Sequence, residues 1–108
     1  MISIVDENDL HFTDEFTALY FYSLWMPENK HMNNMISKME STYNIKFIAI
    51  NVDNYKNTCV RFNIKNIPTI LIFNFNKEID RIIGVPLTSG FKKRVSDIVT
   101  KRKLENGD

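Results

Sequence analysis

Cysteine occurs once in these 108 residues, at Cys59. A lone cysteine excludes an intrachain disulfide and the small disulfide-stapled folds of oxidising compartments. It also excludes paired-cysteine zinc sites, and His11 and His31 do not supply a zinc-spaced pair. Glycine is nearly as scarce, with three residues and no cluster, so there is no phosphate-cradling loop. No apolar run approaches the roughly 18 residues of a membrane span. The opening residues, Met-Ile-Ser-Ile-Val-Asp-Glu, have neither a basic region nor a small-residue cleavage site. No secretory leader is therefore expected. The expected location is the cytoplasm, that of the host cell if the chain is virus-encoded. Residues 1–29 hold no Lys or Arg but carry Asp6, Glu7, Asp9, Asp14, Glu15 and Glu28. Cations gather instead at Lys92, Lys93, Arg94, Lys101, Arg102 and Lys103, and the net charge is only +1. Such runs read as solvated helix faces. The basic end could touch phosphates, but the near-neutral balance and the lack of an aromatic stacking platform argue against nucleic acid as a partner.

What is present is an ordinary folding composition, 44% hydrophobic and 25% charged. Its length suits one domain over 1–108, with 104–108 as a frayed tail. Ile2–Val5 predicts a first strand. Asp6–Glu15 predicts a short helix or helical turn capped by Asp6 or Asn8. Thr17–Leu24, nearly all apolar or aromatic, predicts a central strand covered on both faces. Met32, Met35, Ile36, Met39 and Tyr43 form one helical stripe, with Pro27 in the first turn and Asn44 as the stop. Lys46–Val52 predicts another buried strand. Asp53–Phe62 predicts a helix capped by Asp53 or Asn54, with Cys59, Val60 and Phe62 inward. After the loop Ile64–Pro68, Thr69–Phe75 and Glu78–Ile83 predict a hairpin turning at Asn76-Lys77 and broken by Gly84. Thr88 or Ser89 caps a last helix to about Lys103, with Phe91, Val95, Ile98 and Val99 inward. The order β-α-β-α-β-α-β-β-α implies an α/β fold, a central mixed sheet with helices on both faces.

Between the central strand and the methionine-striped helix stands Trp25-Met26-Pro27-Glu28-Asn29-Lys30. This corner resembles the thioredoxin active site, Trp-Cys-Gly-Pro-Cys-Lys, with the outer residues kept. Asn66-Ile67-Pro68-Thr69 resembles the family's Ile-Pro-Thr segment, whose proline is cis. Gly84 resembles the glycine that lets a bound peptide approach. Asn51-Val52-Asp53 also resembles the family, and the likeness covers nearly the whole chain. It implies a thioredoxin-like fold. It also implies a shallow apolar groove lined by Trp25, Met26, Pro27, Ile67, Pro68 and Gly84, with Val85 beside it. There an extended peptide would pair with backbone, a form of β-augmentation. In this reading Met26 enlarges the apolar patch.

The chemistry departs from that pattern. Met26 stands for the nucleophilic cysteine and Asn29 for the resolving one. Pro27-Glu28 replaces Gly-Pro, and Tyr20 occupies the position of the buried aspartate. A thioether has no proton to lose and cannot enter a disulfide, and an amide is no substitute for the second thiol. The expected function is a redox-inactive protein-binding or scaffold module, alone or as a subunit of a larger assembly. No catalytic residue, metal or cofactor is expected. Thioredoxin-fold proteins can act in this way, including as accessory subunits of polymerases. Two alternatives stand beside it: a divergent thiol oxidoreductase using Cys59, with Lys56 and Arg61 near it in sequence, and a structural homodimer that buries the groove. The methionines near His31 suggest a soft-metal site by ligand type, but Met32, Met35 and Met39 lie on the stripe that faces the core. A buried lone cysteine is ordinarily a small hydrophobe, and His31 reads as a solvated helix residue. In a dithiothreitol-driven insulin-reduction assay the chain should give no acceleration above background, and a catalytic rate would overturn this expectation.

Overall fold

The computed structural model describes residues 1–3 and 10–106. Its elements, in order, are β1 (Ile2–Ser3), β2 (Phe16–Tyr22), α1 (Asn29–Thr42), β3 (Lys46–Asn51), α2 (Lys56–Arg61), β4 (Thr69–Asn74), β5 (Lys77–Ile83) and α3 (Thr88–Asn106). The sheet order is β1-β3-β2-β4-β5. β1, β3 and β2 run parallel, and β4 and β5 add antiparallel pairings. This is the thioredoxin arrangement, an α/β fold built on a mixed sheet.

The apolar run in β2 is buried along its length because residue alternation feeds two cores. Ala18 and Tyr20 face one layer with Phe47, Ile70 and Ile72. Leu19 and Phe21 face the other with Ile48, Ile50, Leu71 and Phe73. The stripe of α1, Met32, Met35, Ile36 and Met39, covers the first face together with Phe91 and Val95 of α3. Cys59 of α2, Phe62 and Ile67 cover the second. Among the described residues no helix is long and apolar enough to cross a membrane.

Several local expectations are corrected. The expected helix over Asp6–Glu15 lies partly outside the described residues. From Leu10 to Glu15 there is no helix. Leu10 and Phe12 instead pack on the second sheet face, Phe12 against Phe73 at 4.5 Å between ring centres. α1 begins at Asn29 rather than at Pro27. Two successive turns precede it, closed by the Met26 and Asn29 N–H groups donating to the Ser23 and Met26 carbonyls (3.1 and 3.3 Å). Pro27 sits within the second of these.

α2 is shorter than expected, and its N-cap is Tyr55 with no side-chain cap bond. Six residues give less than two turns, so few positions can face inward. Thr58 does so, Cys59 is half-buried, and Val60 points to solvent. The hairpin turns one residue early, at Phe75-Asn76. A bulge between Ile72 and Phe73 shifts the register so that Asn74 pairs with Lys77. Phe75 adopts a left-handed φ of 52°, and its N–H donates to the Glu15 carbonyl (2.7 Å). α3 runs on to Asn106, where the expectation ended it near Lys103. No glycine or proline interrupts it before Gly107, apart from Gly90 in its first turn.

Phe91 is fully buried, edge-on to Phe47 at 6.3 Å. Phe91→Ala should therefore destabilise the fold by about 3–5 kcal/mol, read as a lowered urea midpoint.

Candidate functional site

Strand register gathers the site. Phe21 pairs with Thr69, and Thr69 pairs with Ile83. The end of β2, the loop before β4 and the end of β5 therefore meet at one end of the strands. The Ile67–Pro68 peptide bond is cis. Pro68 is buried, and its carbonyl accepts the Gly84 N–H at 2.8 Å. Gly84 has φ +87°, and a Cβ built there would meet nothing within 4 Å. The constraint on this position is backbone conformation rather than space.

The corner itself is a turn whose first residue is Ser23 and whose last is Met26. Its two central residues are Leu24 and Trp25. Leu24 is 76% exposed and Trp25 72%. The closing residue, Met26, is buried. The expectation that Met26 enlarges the surface patch is thus corrected: Leu24 supplies exposed apolar area, and Met26 is buried. Pro27 is exposed and Ile67 half-buried. The backbone of Ile67 makes no hydrogen bond to another described residue. Val85 and Leu87, just past Gly84, are also exposed.

Beneath the corner, two of the altered positions meet. The Tyr20 hydroxyl donates to Asn29 Oδ1 at 2.7 Å, and Asn29 Nδ2 donates to the Ser23 carbonyl at 2.7 Å. Tyr20 is buried, its ring stacked on Tyr22 with centres 5.3 Å apart. Burial, with smaller contributions from Tyr22 and Glu28, pushes the Tyr20 phenol above its ordinary value. Ser23 is itself buried, and its hydroxyl donates to Asp53 Oδ2 at 2.7 Å. Sequence reasoning treated Ser23 as part of an apolar run and Asp53 as a helix cap. The only signal for their pairing was the resemblance of Asn51-Val52-Asp53 to the family.

At the corner Met26, Asn29 and Tyr20 offer a thioether, an amide and a phenol held in its neutral form. Cys59 lies on α2, against the opposite sheet face from Tyr20. No group of three His, Cys, Asp or Glu among the described residues is placed to hold a metal ion.

The raised Tyr20 value fixes a sign for stability. The protonated phenol is favoured in the fold, so its contribution is fully present below about pH 10, the ordinary tyrosine value. It is lost as pH rises beyond that, where the unfolded chain releases the proton first. Tyr20→Phe should cost about 0.5–1.5 kcal/mol at pH 7. It should also flatten the alkaline fall in the urea midpoint relative to the unsubstituted chain.

Residues 6–97 match the family model for thioredoxin. Mitochondrial thioredoxin-2 of Schizosaccharomyces pombe is 27% identical over 100 residues, which cover 92% of this chain and 71% of that protein. A chloroplastic M-type thioredoxin of Brassica napus is 32% identical over 79 residues, covering 70% of this chain and 45% of that one. Among solved structures, a mutant thioredoxin from Halobacterium salinarum superposes with a TM-score of 0.84 at 12% identity, covering 91% of this chain and 89% of its own. Oxidised thioredoxin from Plasmodium falciparum gives 0.82 at 18%, covering 91% and 97%. With the sheet order and the corner geometry, the matched span establishes that this chain belongs to the thioredoxin family.

Proposed function

We propose that the chain is a protein-binding module that uses the thioredoxin groove without thiol exchange. The observation that carries this reading is the pairing of an exposed Leu24-Trp25 with an occupied interior. Met26 is buried, and the Asn29 side chain is committed to Tyr20 and Ser23. The corner carries no thiol to attack a disulfide, while a large aromatic side chain is held in water at the end of the sheet that also carries Ile67, Pro68 and Gly84.

The partner is a protein segment in extended form. The Ile67 backbone offers it a donor and an acceptor, as in strand addition. Trp25 offers an apolar anchor of the kind enriched at binding hot spots. Leu24, Val85 and Leu87 add exposed apolar side chains next to the corner and to Gly84 in the chain. A second copy of this chain could bury the same surface, and sedimentation distinguishes that homodimer from a heterologous complex.

The test is affinity capture from the native source with matched variants. Trp25→Ala and Ile67→Asp should each reduce capture of a specific partner by about tenfold or more, while Cys59→Ser leaves it unchanged. Loss on Cys59→Ser with normal stability, and retention on Trp25→Ala, would favour a thiol mechanism instead.

A further inference from the structure

On the β3 side of the corner, bordered by Leu24, lies a cleft of about 410 Å³. We propose that it binds a small, uncharged, planar aromatic molecule. Its walls are Ser3, Ala49, Tyr20 and Tyr22 from the sheet and Asn29 and Asn33 from α1. Residue size makes the hollow. Register aligns Ser3, Ala49 and Tyr20 in one row across β1, β3 and β2. Two small side chains therefore lie beside a large ring. Over them α1 presents Asn29 and Asn33, one turn apart, before its methionine stripe closes on the core. The volume falls in the range of small-molecule sites, about 300–1,000 Å³.

The lining selects the ligand. None of the six side chains carries a charge. Met1 and Leu24 complete the cleft, and the Met1 amino group is already paired with Glu40 at 2.7 Å. An anionic ligand would lose its hydration without gaining an unpaired cation. The half-buried Tyr22 ring, held 11° from parallel on the buried Tyr20, offers aromatic surface. The Tyr22 hydroxyl and the Asn33 carboxamide make no hydrogen bond with described residues. They supply donors and acceptors for the edge of a ring.

Amide chemical shifts of the isotope-labelled chain, titrated with indole and with indole-3-acetate, test this. Indole should shift the Ser3, Asn33 and Ala49 amides saturably, with a dissociation constant of about 1 mM or tighter. The acetate, the same ring bearing a charge, should bind at least about fivefold more weakly. Ser3 and Asn33 are exposed at the rim. Ser3→Trp and Asn33→Trp should each fill the cleft and weaken indole by about tenfold or more, with folding read from the same spectra. Absence of saturable shifts at these amides would overturn the proposal. So would shifts confined to Trp25 and Ile67, equal affinity for both probes, or wild-type affinity in folded variants. Failure here does not bear on the Trp25 groove, because the two surfaces share only Leu24 and neither Trp25 nor Ile67 lines the cleft.

Discussion

The double burial of β2 is the constraint on which the rest of this molecule depends. A strand with no face in water needs a layer on each side, and α1 with α3, and α2 with the Leu10–Phe12 segment, provide them. It also needs a partner on each edge, found in β3 and β4. Just past the end of β2, the buried Ser23 gives the corner a fixed footing. The turn that starts there throws Leu24 and Trp25 out and draws Met26 in. Surface and interior at this corner are thus two outcomes of one local geometry.

The altered positions make physical sense as a set. A carboxylate at the Tyr20 position, next to a methionine and an amide, would be a buried charge with no cation to meet it. A tyrosine fills that space with a ring and ends in a neutral donor. Asn29 accepts that donor and passes a second bond to the Ser23 carbonyl, so each of these polar groups has a partner. The polar groups of Tyr20, Asn29 and Ser23 beneath the corner are thus paired with one another or with Asp53.

Much of this was legible in the chain. The aromatic run, the methionine stripe and the Ile67–Pro68 segment each follow a period or a family motif, and they led to the correct layers. The orientation of Met26 was not legible, because which residue of a turn closes it depends on a hydrogen bond that sequence does not display. Val60 misled for a related reason: a helix of less than two turns carries too little periodicity to fix a phase. The Tyr20–Asn29 bond spans a whole corner, and the cleft row of Ser3, Ala49 and Tyr20 comes from three strands. Such juxtapositions exist only once register is set. The hairpin turn moved because a bulge, invisible to residue preference, absorbed one residue.

The bonds that hold the corner together join a phenol, a carboxamide and a peptide carbonyl. Dissolved salt screens charges and leaves such neutral bonds nearly untouched. The ambient reduction potential does not act on them either. The outward placing of Leu24 and Trp25 therefore stands on bonds that ionic strength leaves in place.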